Sequence, residues 1–137
     1  MGRVLLAAFV ASLSFLFIEA VLEGTFYLIT GVSEGELFKD AYRFLPTGFL
    51  YYAVTIIYLY LVFVLMMWIY AAIRPRFKTH ITAALATSLV FWLFAFLFVV
   101  NYSNQGLHPL KLGLLSMGFN LIELPVSLIG GSLVYKE

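Results

Sequence analysis

An all-α four-helix transmembrane bundle is the fold the sequence predicts, on three observations. First, 64% of the 137 residues are hydrophobic and only 11% are charged, against about 25% charged in an ordinary soluble domain. A water-soluble fold of this length has no way to hide so much apolar surface. Second, four apolar runs, at about residues 4–30, 45–73, 80–102 and 110–135, account for nearly the whole chain. Each exceeds the ~20 residues that cross ~30 Å of hydrocarbon at 1.5 Å per residue. Third, aromatic residues collect near the run ends, with Tyr27, Tyr42, Tyr51, Tyr52 and Tyr102 on one side and Trp68, Tyr70 and Tyr135 on the other, as interfacial belts do. Residues 1–137 read as a single integral-membrane domain, with no internal repeat and no linker.

The first run follows Arg3 and carries Glu19. It is too long for a signal peptide, whose apolar stretch spans about 7–15 residues. Leu6 stands where N-myristoylation needs Ser or Thr. Residues 31–44 form the only connection of any length, and Leu37, Phe38, Ala41 and Tyr42 suit a short amphipathic turn on the membrane surface. Pro46 and Pro109 open the second and fourth spans, and Pro75 sits in the link between the second and third; a missing N–H is harmless in each place. The bulky run Phe91–Phe98 of the third span reads as lipid-facing. Pro125, inside the fourth, removes the bond to the Leu121 carbonyl and predicts a kink.

Lys and Arg set the topology. Arg3, Arg74, Arg76, Lys78 and Lys136 fall on one side, and Lys39, Arg43 and Lys111 on the other, together with Glu34, Glu36 and Asp40. The positive-inside rule then places both termini and the 74–78 link in the cytoplasm, the N-in/C-in arrangement of a bacterial inner-membrane protein. Arg74, Arg76 and Lys78 are expected to meet anionic lipid headgroups. The positive charges form no stripe of the kind that binds nucleic acid.

Three acids lie in stretches with no Lys, Arg or His: Glu19 and Glu23 in the first span and Glu123 in the fourth. An ionisable group at bilayer depth costs at least ~2.5–3.5 kcal/mol. Helical spacing puts Ala8, Ser12, Glu19 and Glu23 on one stripe, and Ser116, Asn120, Glu123, Ser127 and Gly130 on another. The second span offers Tyr51, Thr55 and Tyr58, and the third Ala84, Thr87, Ser88 and Ala95. Small residues let helices approach, and hydroxyls and amides bond across helices in lipid. These stripes are therefore expected to face one another. With alternating helix directions these residues fall in one slab of the bilayer and are expected to form one pocket that binds a proton, cation or polar solute: Glu19, Glu23, Asn120 and Glu123, with Thr55, Tyr58 and Tyr51 as donors. Carboxylates within reach of each other cannot both ionise cheaply. Such a group can hold a proton and release it when a cation or polar solute arrives.

Other chemistries lack their parts. Carboxylate metal bundles use Glu-x-x-His, which is absent, and His80 and His108 fall at opposite membrane faces as solvated residues, so no metal is expected. Cysteine is absent, and neither a serine-histidine constellation nor a phosphate-cradling glycine loop is present. Neither a cofactor nor an enzymatic activity is expected.

The segment Ile18-Glu19-Ala20-Val21-Leu22-Glu23-Gly24-Thr25, followed by Ser33-Glu34-Gly35, resembles the start of the small multidrug-resistance transporters, over less than a fifth of the chain. That resemblance implies a proton- and cation-binding role for Glu19 in an antiparallel homodimer. Glu23, Glu123 and the basic 74–78 link depart from that pattern. The chain as a whole resembles small four-helix bacterial inner-membrane proteins. Two functions are expected: a non-enzymatic accessory subunit whose polar stripes mate with another copy or a larger membrane complex, or a proton- or cation-coupled solute transporter acting as an oligomer.

Overall fold

A computed structural model describes residues 1–39 and 48–135. Four long helices, α1 (Gly2–Thr30), α3 (Phe49–Ile73), α4 (His80–Asn104) and α5 (Leu110–Val134), are joined by short connections, with a six-residue α2 (Glu34–Lys39) after the first. The four long helices are each long and apolar enough to cross a membrane, the architecture of a multi-pass membrane protein. The second span begins at Phe49, after Gly48, rather than at Leu45. The expectations placed on Asp40, Ala41, Tyr42, Arg43, Pro46 and Lys136 lie outside the described residues.

Local chemistry explains the helix ends. Gly31 adopts φ 71° and its N–H bonds the Tyr27 carbonyl, a left-handed cap that a Cβ would strain. Ser33 and Glu36 form a reciprocal capping box for α2: the Glu36 N–H donates to Ser33 Oγ (3.2 Å) and the Ser33 N–H to Glu36 Oε2 (3.0 Å). The Arg74–Arg76 segment is a 3₁₀ turn containing Pro75. Thr79 then caps α4 by accepting the Thr82 N–H at 3.1 Å.

The α1 helix packs along α5 and against α3, while α4 packs chiefly on α5 and only lightly on α3. Burial concentrates at the end that carries the 74–76 turn. Val4, Ala7, Ala8, Ala11 and Ser12 are buried on α1; Phe63, Met66, Met67 and Tyr70 on α3; Ala83, Ala84, Thr87 and Ser88 on α4; and Ser127, Leu128, Gly131 and Ser132 on α5. The other half is looser. From Phe49 to Tyr58 no α3 residue is buried, and all but Ala53 are exposed.

Side-chain size accounts for this taper. Along α1 the inward residues change from Ala and Ser to Phe15, Ile18, Leu22 and Phe26, and along α4 from Ala, Thr and Ser to Phe91 and Trp92. Small residues admit close helix approach; at the Phe15–Phe63 contact, with ring centroids 5.6 Å apart, aromatic rings replace them between α1 and α3. The lipid-facing surface is as apolar as expected, with Phe94, Leu97 and Phe98 exposed on α4.

Candidate functional site

The three acids share a depth but not an environment. Along the antiparallel α1–α5 pair, Phe26 meets Phe119 with centroids 5.7 Å apart, and Ser14 lies against Gly130. Interpolation between those contacts puts Glu123 level with residues 21–22, between Glu19 and Glu23. Glu123 is buried at 3% exposure, and its carbonyl accepts the Ser127 hydroxyl. Glu19 and Glu23 are both exposed. Glu19 stands one turn beyond Phe15 on the α1 face turned to α3, at a level where α3 no longer buries any residue. One acid is thus inside and two are on the surface, and among the described residues no three acidic or histidine side chains are grouped so as to hold a metal ion.

The expected donors are also placed otherwise. Tyr58 is 67% exposed, and exposed Thr55 donates its hydroxyl to the Tyr51 carbonyl at 2.9 Å. Asn120 is half-buried and donates Nδ2 to the Ser116 carbonyl at 2.9 Å. The same habit recurs in Ser12, Ser14, Thr87 and Ser88, each bonded to a carbonyl three or four residues back in its own helix. A hydroxyl satisfied this way needs no partner helix. The small stripes therefore serve close packing, not the cross-helix hydrogen bonding expected of these hydroxyls.

Two aromatic residues supply cross-helix bonds instead. Trp92 Nε1 donates to the Met117 carbonyl at 2.8 Å, joining α4 to α5, and Tyr60 Oη donates to the Leu5 carbonyl at 3.3 Å, joining α3 to α1. Trp92 is half-buried and stacks on Phe96, so this part of the Phe91–Phe98 run faces protein rather than lipid. The signal was present: an indole N–H at mid-membrane needs an acceptor, which lipid tails lack. Trp92→Phe keeps the ring and removes the bond. Thermal unfolding in mild detergent should show a loss of about 1 kcal/mol, in the range of interhelical bonds in membranes.

At the basic end, Arg76 and Lys78 are exposed, whereas Arg74 is half-buried and donates Nη1 to the Phe77 carbonyl at 2.9 Å. The histidines do mark opposite ends of α4, but both are half-buried rather than solvated. The His108 ring lies against Gly113, where an added Cβ would come within 3.0 Å of it.

Fold and site together define a class: a small, helical, multi-pass membrane protein with one carboxylate inside the bundle and two at the same depth on its surface. No protein-family model, curated protein or solved structure matches the chain.

Proposed function

We propose that this chain is a non-enzymatic accessory subunit of a bacterial inner-membrane assembly, lying with both termini in the cytoplasm. Its partner, a second copy of the chain or a larger membrane complex, covers the loose half of the bundle. The observation that carries this reading is the exposure of Glu19 and Glu23. They lie roughly 17 and 10 Å short of the α1 end at 1.5 Å per residue, well within hydrocarbon. A polar face left against lipid there is costly; a neighbouring helix that covers it removes that cost. The exposed first half of α3, with Tyr51, Tyr52 and Tyr58, adjoins the same opening. Purification in mild detergent at native expression should yield a stoichiometric complex, and Glu19→Leu with Glu23→Leu should release the chain as a monomer. A clean wild-type monomer would refute the proposal.

A second reading rests on Glu123. A buried carboxyl level with Glu19 and Glu23, two residues from Pro125, suits a proton- or cation-coupled transporter in which the same opening admits solute and an oligomer completes the path. Proton flux in liposomes, driven by candidate cations, tests it; the reading requires that Glu19→Gln, Glu23→Gln or Glu123→Gln reduce the flux.

A further inference from the structure

The seam between α1 and α3 opens onto the lipid-facing surface as two recesses. One, of about 280 Å³, is lined by Phe9, Leu13 and Leu16 of α1 and by Ile56, Ile57 and Tyr60 of α3. The other, of about 250 Å³, lies between Val4 near the start of α1 and Leu61, Leu65 and Trp68 of α3. Ile57, Leu61, Leu65 and Trp68 follow one another at spacings of four, four and three, so they form a single row on α3. All four are exposed. The two recesses are therefore successive stretches of one groove.

The chemistry of its deeper stretch is that of hydrocarbon. Ser12, which also lines it, donates its hydroxyl to the Ala8 carbonyl at 2.8 Å, and Tyr60 donates to the Leu5 carbonyl at 3.3 Å. Each hydroxyl has one hydrogen to give, so the walls offer a guest dispersion contacts rather than donors. The walls are also bulky. One transmembrane helix approaches another through Gly, Ala, Ser or Thr, whereas Phe9, Leu13, Leu16, Ile56 and Ile57 hold a second helix backbone at a distance. A single flexible chain fits between them.

Length points to the same guest. Ile56 and Trp68 stand twelve residues apart, about 18 Å along the helix, close to the ~15 Å that one leaflet contributes to ~30 Å of hydrocarbon. Trp68 stands at the end that carries the 74–76 turn. An indole at a membrane interface turns its N–H toward the polar oxygens of the headgroup region.

We propose that this groove binds one acyl chain of a phospholipid from the leaflet at that end. Trp68 donates its Nε1–H to an ester or phosphate oxygen of the same molecule. The chain lies along the Ile57–Trp68 row, and its methyl end reaches Leu16 and Ile56. The lipid is then a retained part of the bundle, sealing α1 against α3.

Native mass spectrometry of the full chain tests the site, with nanodiscs holding equal amounts of palmitoyl-oleoyl- and didecanoyl-phosphatidylcholine. The expected result is one long-chain adduct that survives the removal of loosely held lipids. The short chains leave the Leu16 and Ile56 end empty and forfeit its contacts, so they should be retained about fivefold less. Ile57→Trp and, separately, Leu13→Trp fill the groove from opposite walls, and each should remove the adduct. Both replace exposed side chains, and helical content confirms that the bundle is intact; two variants keep the test alive if one misfolds. Trp68→Phe should lower the adduct about fivefold, the size of one hydrogen bond. Leu97→Trp, on the exposed face of α4, should leave it unchanged. Equal retention of the two lipids, an adduct that persists with the groove filled, or equal loss in the Leu97 variant would overturn the proposal. A lipid-free dimer that Ile57→Trp splits would overturn it in favour of a second copy of the chain.

Discussion

Gly131→Leu should abolish the folded bundle. A Cβ built on Gly131 would lie 2.8 Å from the Ala7 carbonyl oxygen, 3.0 Å from the Ala11 Cβ and 3.1 Å from the Met67 sulfur. Three helices, α1, α3 and α5, therefore close on one hydrogen atom, and the nearest obstacle is backbone, which no rotamer change can move aside. Even Gly131→Ala is expected to cost ~1–3 kcal/mol, the range for overpacking a filled core, and leucine adds three further carbons to the same space. Neighbouring glycines provide the contrast. Gly130→Ala would meet mainly the Ser14 hydroxyl, which can rotate, so its effect should be smaller. Gly118→Ala, with nothing within 4 Å, should be neutral or stabilising by up to ~1 kcal/mol, since glycine is a poor helix former. Helical content and thermal unfolding in mild detergent read the series. Similar losses at Gly118 and Gly131 would show that the α1–α5 contact is not the close one described.

The same contact shows what could be read in advance. Hydropathy and length marked the spans because crossing hydrocarbon demands an uninterrupted apolar run with all backbone bonds made internally; α1, α4 and α5 accordingly end within two residues of expectation. The small-residue stripes were also legible, and Ala8, Ser12, Ala84, Thr87, Ser88 and Ser127 are buried. Periodicity fixes direction about a helix axis but carries no information on how far away the facing helix stands. Glu19 does lie on the stripe of Ala8 and Ser12, yet it is exposed: it falls beyond the Phe15–Phe63 ring contact, at a level where α3 buries no residue. That change in side-chain size along α1 was visible in the sequence, and weighing volume as well as polarity would have predicted the opening. Thr55 failed as a donor for another reason: a helical threonine has its own preceding turn as the nearest acceptor, a competitor that span-to-span reasoning leaves out. The convergence of Arg74 and His80 at one end of the bundle was the least legible feature, because Arg74 opens a 3₁₀ turn whose geometry decides where the start of α4 falls.

Glu123→Lys should prevent stable folding, whereas Glu123→Gln should be tolerated. The position is 3% exposed and lies roughly 17–20 Å from either end of α5 at 1.5 Å per residue, farther than a lysine stem can carry its ammonium toward water. A cation held there at bilayer depth costs ~3 kcal/mol or more, and the nearest polar side chains on its own helix, Asn120 and Ser127, are neutral and carry no charge to offset it. Glutamine keeps the shape and one acceptor oxygen, so its cost should stay within about 1 kcal/mol, the scale of a single exchanged hydrogen bond. The tolerated variant is the more informative of the two. If the chain acts as a subunit, Glu123 is a filled interior position and Glu123→Gln should leave capture of the partner unchanged, with the loss confined to Glu19 and Glu23 on the exposed face. If the chain moves protons, Glu123→Gln cannot titrate and should abolish flux while the bundle remains folded. Detergent unfolding, partner retention and liposome flux measured on this one protein therefore separate a structural carboxyl from a working one.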